Sequence, residues 1–184
     1  ISCSEKFSGS VNIKGHLNAY KNGVKIIDDD NHIVITGRHY LMQRLFGLAY
    51  NLTVDQHLWT PKWFSVGSGG AAMDTPFQQM MPTDEDTGCY HENLFNATGG
   101  ARYTTNKSKK LIDSIEFVSA LSAKMTMTLA ESDCVNSYVN EAAFFVSPSE
   151  NQNETLFSCF SHICFPPFPK ADMDSILPSI SNKS

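Results

Sequence analysis

Along much of the chain, apolar residues alternate with polar ones over short stretches, the two-residue period of strands half-buried in a sheet. Val11 and Ile13 stand among polar neighbours, and Lys21-Asn22-Gly23-Val24 follows, with the Asn-Gly pair that accepts the positive φ angles of a two-residue hairpin turn. A hairpin over 11–35 is therefore expected. With Asn22-Gly23 as its turn, Lys21 faces Val24 and Ala19 faces Ile26, but strict pairing then sets Ile13 against His32. One extra residue within Asp28-Asp29-Asp30-Asn31, a β-bulge, returns Ile13 to Ile33 and Val11 to Ile35.

The period changes after Thr36-Gly37. Leu41, Leu45 and Leu48 stand at i, i+4 and i+7, with Arg38 and Arg44 toward the other side, which predicts a short amphipathic helix over 36–48 with Thr36 as its N-cap. A polar linker with Trp59 and Pro61 leads to a strand that carries Phe64 and Val66 on one face and collapses into Gly67, Ser68, Gly69 and Gly70. Residues 76–110 read as a long polar loop, and a loop of that length is functional or part of an interface.

Strands return over 111–180. Ile115 and Phe117 begin one, and Ala123, Met125, Met127 and Leu129 alternate with Lys124, Thr126 and Thr128 in the next. Asn140 to Val146 makes a third. In a fourth, Leu156 to Phe165, the residues Phe157, Cys159, Ile163 and Phe165 share a face until Pro166 and Pro167 end the strand. These elements predict a single domain over 1–184 that is mainly β, an antiparallel β-sandwich with one short N-terminal α-helix and a long inserted loop.

Composition narrows the function. The 184 residues, 41% of them hydrophobic, suffice for one compact core. A formal charge of -5, with 14 Lys and Arg spread thinly, leaves no basic stripe to neutralise phosphates, so nucleic acid is not an expected partner. No apolar run approaches the roughly 20 residues that cross a bilayer, and the first ten residues lack the charged and apolar regions of a signal peptide. Ile1 in place of methionine implies that a leader has been removed or that the chain is part of a longer one.

Catalytic signatures are not met. Gly67-Ser68-Gly69-Gly70 fails the G-x-S-x-G elbow, because Val66 stands two residues before Ser68, and fails G-x-G-x-x-G, because Ala72 replaces the third glycine. The four residues Gly67, Ser68, Gly69 and Gly70 are read as a structural turn. The six histidines are dispersed without metal-site spacing, and Asp28 to Asp30 lack the alternation and terminal glutamate of an EF-hand. Cys3, Cys89, Cys134, Cys159 and Cys164 include no C-x-x-C pair and read as buried free thiols. No catalytic residue, cofactor or metal is assigned. Glu141 is the one acid embedded in a strongly apolar strand, where burial raises a carboxyl pKa unless backbone donors satisfy it.

Two other classes stay open. N-x-S/T triplets begin at Asn51, Asn96, Asn106, Asn153 and Asn182, where chance supplies about two, so a secreted or surface glycoprotein binding module is the alternative. A carbohydrate-active enzyme requires two carboxylates converging in a cleft, which is a spatial quantity.

Over about residues 11–180 the order of elements resembles a family of bacteriophage virion proteins, the tail fibre or baseplate components. The resemblance is carried by "TGRHYLMQRLFG", by "FSVGSGGAA" with a Thr-Pro shortly after, by the Met/Thr strand, by "VNEAAFFVS", and by "LFSCFSHICFPPFPK" before "DMDSILPSI". Val66-Gly67-Ser68-Gly69 matches the family's small-residue turn, Asn140-Glu141-Ala142 its second strand motif, and Leu156-Phe157 through Pro166-Pro167 and Lys170 its third. The chain departs from the pattern in Cys159 and Cys164, in the insert from Pro76 to Lys110, and in Pro178 within the last segment.

The resemblance implies a non-enzymatic part of the tail, baseplate, collar or fibre base. Such a part is made in the host cytoplasm and assembles in the virion with copies of itself and other virion proteins. The 76–110 insert is then a candidate contact arm, and Phe165, Pro166, Pro167 and Phe168 form a candidate interface.

Overall fold

The computed structural model describes residues 14–46, 58–71, 79–95, 102–119, 122–130, 132–135, 137–170 and 176–181. In chain order the described elements are β1 (Gly15–Lys21), β2 (Val24–Ile33), α1 (Ile35–Phe46), β3 (Thr60–Gly67), β4 (Lys110–Leu111), β5 (Ser114–Ser119), β6 (Ser122–Thr126), β7 (Ser137–Ser147), β8 (Ser158–Lys170) and β9 (Ile176–Ser181). The described residues are thus mainly β with one short helix. The strands are hydrogen-bonded in the order β4-β3-β7-β8-β2-β1-β9-β6-β5, and every pairing is antiparallel.

The β2 and β8 ladder consists of His32↔His162 and Ile33↔Ser161 alone, so it joins two larger pieces, β4-β3-β7-β8 and β2-β1-β9-β6-β5. The main core draws on both. Leu17, Ala19 and Ile27 of β1 and β2 pack in one cluster with Phe64, Val66, Phe144, Ile163 and Phe165 of β3, β7 and β8, and with Met127 and Leu129. The opposite face of β3, β7 and β8 is covered as well, with Trp63, Ala143, Phe145 and Cys159 packing beside Val34. Phe64 and Val66 share one face, as their alternation requires, and Trp63 takes the other.

The β1 and β2 hairpin turns at Asn22 (φ 50°) and Gly23 (φ 82°), the backbone of a two-residue turn that the Asn-Gly pair tolerates. Lys21 faces Val24 as expected, but the extra residue lies nearer the turn than the acidic run. Tyr20 pairs with Lys25 and Ala19 with Ile27, which leaves Ile26 as the bulge. The acidic residues serve His16 instead. Asp28 Oδ1 and Asp30 Oδ1 lie 2.6 and 2.9 Å from its Nε2 and Nδ1, so a buried imidazole is held from both sides by the neighbouring strand. The expected partners Val11 and Ile13 lie outside the described residues.

The helix begins one residue earlier than expected. Arg38 N donates to Val34 O at 3.0 Å, so Val34 and not Thr36 supplies the capping carbonyl, and Thr36 Oγ1 donates to Cys159 O of β8 at 2.5 Å. The buried side is also different, because α1 docks on β8 through Tyr40, whose ring meets Phe160 edge-on at 6.0 Å and whose hydroxyl donates to Trp59 O at 2.9 Å. Leu41 is half-buried and Leu45 is 62% exposed. Leu48 lies outside the described residues.

Two expectations for β8 are overturned. The strand continues through Pro166 and Pro167 to Lys170, since the ladder with β7 breaks between Val139 and Glu141 and resumes at Val139↔Phe168, so the two prolines occupy rungs from which no bond is required. A second break sets Phe145 opposite Cys159 and Phe144 opposite Ser161, which makes Phe160 an extra residue. Phe157 and Cys159 consequently join the second cluster while Ile163 and Phe165 join the main core.

The described parts of the 76–110 stretch are not a free arm. Ser68 N donates to His91 O at 2.9 Å, Asn93 N to Val66 O at 2.8 Å and Phe95 N to Lys107 O at 2.8 Å, and the Phe95 ring is wholly buried against Phe64 and Tyr103. Its backbone is laid along the end of β3 and its side chains complete both cores. Among the described residues, no helix is long and apolar enough to cross a membrane.

Candidate functional site

On the face of β7 and β8 that carries Ala143 and Phe145, the pleat also directs Glu141 and His162 inward, and both are completely buried. The 79–95 segment lies over them and supplies Asp86, Cys89, Tyr90 and His91. Glu141 Oε1 accepts hydrogen bonds from Gly69 N at 2.7 Å and His91 N at 2.9 Å, and Oε2 accepts from Tyr90 N at 2.8 Å. His162 Nε2 lies 3.0 Å from the same Oε2, and its Nδ1 lies 2.7 Å from Asp86 Oδ2. Asp86 is held in turn by Thr83 N at 3.0 Å, Thr83 Oγ1 at 2.8 Å and Tyr90 OH at 3.0 Å. The Tyr90 ring stands edge-on to His162 at 4.8 Å.

Two thiols border this cluster. Cys164 Sγ is 3.9 Å from His162 Nε2, and Cys89 Sγ is 3.3 Å from Ser65 Oγ. One ligand atom each from Cys89, Glu141 and His162 lie within 4.8 Å of one another.

Electrostatics follow from the pairing. Burial pulls the Glu141 carboxyl upward, but His162 and the backbone N–H groups of His91, Tyr90 and Gly69 outweigh it and hold the group below its ordinary range, the case in which backbone donors satisfy a buried acid. Asp86 is lowered in the same way, with burial opposed by His162, Thr83 and Tyr90. Burial disfavours a charged His162, yet Cys164, Glu141 and Asp86 together raise it to about 10. The Cys89 thiol is pushed well above its ordinary value by burial and by the Glu141 charge. With a proton on each imidazole nitrogen, the triad is one cation between two carboxylates.

The four residues read as a turn have a more specific place. A Cβ on Gly67 would stand 2.3 Å from both Glu141 Oε1 and His91 O, and one on Gly69 would meet Tyr90 Cβ at 2.7 Å. The glycines at the end of β3 therefore let backbone donors and the 79–95 segment close around a buried carboxylate. Gly70 N donates to Asn140 Oδ1 at 2.8 Å, and Ser68 contributes its backbone N–H. Of the candidate interface, Phe165 is buried and stacks on the half-buried Phe168 at 5.9 Å, while Pro166 and Pro167 are exposed. The four described cysteines are free thiols, with Cys134, Cys159 and Cys164 buried.

Asp86, Cys89, Tyr90 and His162 carry no spacing signal, because the interacting positions are separated by 21 residues for Glu141 with His162 and by 76 for Asp86 with His162. The legible hint was a polar side chain inside each of two apolar strands. No protein-family model matches the chain, and neither a curated protein nor a solved structure matches it.

Proposed function

We propose that the chain is a non-enzymatic structural component of a tailed bacteriophage virion, assembling by protein contacts with its own copies and with other virion proteins in the tail, baseplate, collar or fibre base. The observation that carries the reading is the outer strand of the sheet. Among the described residues, β5 has only β6 as a hydrogen-bonded neighbour, and it turns Ile115, Phe117 and Val118 to solvent at 47%, 87% and 64% exposure. An apolar outer strand with open backbone groups is a hazard for a free monomer and a ready contact for an assembly part. The order of motifs along the sequence supports the same reading. So does the use of the buried charges: each is tied to fixed internal partners, the arrangement of a rigid scaffold.

In this reading the two pieces of the sheet form a β-sandwich, supported by the main core cluster that Leu17 and Ile27 share with Phe64, Phe144 and Ile163. Mass spectrometry of purified intact particles tests the assignment: the chain is expected as a stoichiometric constituent. Its absence from particles whose other structural proteins are all recovered sinks the proposal.

One observation favours the alternative of a secreted glycoprotein module, since the acceptor asparagines Asn106 and Asn153 are both exposed. Hexose on either side chain in the intact mass of the native protein would select it.

A further inference from the structure

We infer that Cys89, Glu141 and His162 form a binding site for a zinc-type divalent metal ion, with Asp86 fixing the imidazole from behind. The inference starts from a conflict between two atoms. Asp86 Oδ2, 2.7 Å from His162 Nδ1, accepts the hydrogen bond from the proton on that nitrogen and leaves Nε2 directed at Glu141 Oε2, 3.0 Å away. A lone pair facing a carboxylate oxygen is repulsive, so a cation has to stand between them. A proton meets that need, and so does a metal ion.

The surroundings favour the metal. Cys89 Sγ belongs to the same group of ligand atoms within 4.8 Å, whereas Cys164 Sγ, 3.9 Å from Nε2, lies outside it. Sulfur, imidazole nitrogen and carboxylate oxygen are the donors zinc takes in tetrahedral sites. Cys89 Sγ is 3.3 Å from Ser65 Oγ, and because a thiol is a weak hydrogen-bonding group, that contact leaves the sulfur open to act as a thiolate on a cation. The carboxylate behind a ligating imidazole, here Asp86 on Nδ1, is the usual outer partner of a metal-bound histidine, setting its tautomer and its ring plane.

Glu141 is prepared in the same sense. Its Oε1 is taken by Gly69 N and His91 N, while Oε2 carries one backbone bond from Tyr90 N and keeps a lone pair on the His162 side. Metal–ligand bonds of about 2.0–2.2 Å at a tetrahedral angle would set Nε2 and Oε2 about 3.4 Å apart, a widening of only a few tenths of an ångström. Binding expels two protons, one from the Cys89 thiol and one from between His162 and Glu141, so the buried site exchanges two protons for one divalent ion with no change in net charge.

The position gives the ion a structural task. It would join β7, β8 and the 79–95 segment at one point, and Glu141 and His162 are closed off from solvent. Metal analysis of the full chain expressed in zinc-containing medium is expected to return about one zinc per chain. Replacement by cobalt is expected to give the visible bands of a tetrahedral site together with near-ultraviolet thiolate charge transfer. Cys89→Ser should remove charge transfer, and Asp86→Asn should weaken cobalt binding about 10–100-fold while leaving the bands in place.

Because His162 variants risk misfolding, the wild-type chain supplies an independent readout: a chelator should lower its melting temperature, and one equivalent of zinc should restore it. A folded wild-type chain that neither carries zinc nor takes up cobalt overturns the inference. So does a Cys89→Ser chain whose cobalt spectrum is unchanged, which would put the ion elsewhere.

Discussion

Lys110 Nζ lies 2.7 Å from Asp133 Oδ2, and neither residue is more than a few per cent exposed. Lys110 also donates to Thr128 O at 2.6 Å, and Ala130 N donates to Asp133 Oδ2 at 2.9 Å, so a buried charge pair ties β4 to the chain beyond β6. Removing one partner strands the other charge away from water. Lys110→Met is expected to lower unfolding free energy by about 3–5 kcal/mol in denaturant titration, and adding Asp133→Leu should recover much of the loss. A single variant as stable as the parent would mean the pair is solvated.

The position of the hairpin bulge predicts an asymmetry between two deletions. Removing Ile26 takes out the extra residue and leaves Ala19↔Ile27, Asn18↔Asp28 and His16↔Asp30 intact. Removing Asp29 shifts every later partner by one, which breaks His16↔Asp30 and reverses the facing of Asn31, His32 and Ile33 where β2 joins β8. The Asp29 deletion should therefore melt well below the Ile26 deletion, and equal melting temperatures would count against a bulge at Ile26.

Gly67 and Ser68 are adjacent, yet only the first should be sensitive to substitution by alanine. A methyl group at Gly67 has Glu141 Oε1 and His91 O at 2.3 Å, so Gly67→Ala is expected to cost about 1–3 kcal/mol through displacement of the strand end or the 79–95 segment. Ser68 contributes its backbone N–H to His91 O, which alanine preserves. Ser68→Ala should stay within about 0.5 kcal/mol of the parent by thermal melting.

Asp84 links the 79–95 segment to the helix. Its carbonyl accepts from Ile35 N at 2.8 Å, and its carboxylate is bonded by Arg38 and lies 2.8 Å from His32 Nε2. Arg38 first and His32 second hold the carboxyl below its ordinary value of 3.8. A depressed carboxylate stabilises the fold above its unfolded pKa and loses that contribution as pH falls through the lower folded value. The melting difference between parent and Asp84→Asn should be present at neutral pH, shrink with added salt, and vanish in strong acid once the pH has fallen through the lowered folded value. A difference that persisted in strong acid would rule out the ionic contribution.

Local chemistry was legible in the sequence where one short stretch suffices. Asn22-Gly23 turns the first hairpin because few other residue pairs accept two successive positive φ angles, and Phe64 with Val66 face one core because a strand alternates. The helix was legible as a helix, but its leucines misidentified the buried side. Docking on β8 is decided by which neighbour it meets, and Tyr40 faces Phe160. The prolines of β8 misled for the same reason: whether a missing N–H matters depends on what lies across the ladder, and at Pro166 and Pro167 nothing requires it.

The sequence alone determined the periodicities, the first turn, the mainly β character and the presence of an acid inside an apolar strand, since each depends on residues a few positions apart. Only the tertiary structure decided that Glu141 meets His162, that Asp86 and Cys89 arrive from a segment that reads as loop, and that Gly67 and Gly69 make room for that segment and for the carboxylate. Contacts between residues 21 to 76 positions apart are set by the β7 and β8 register with its two irregularities, and a shift of one residue there reverses which side chains face inward.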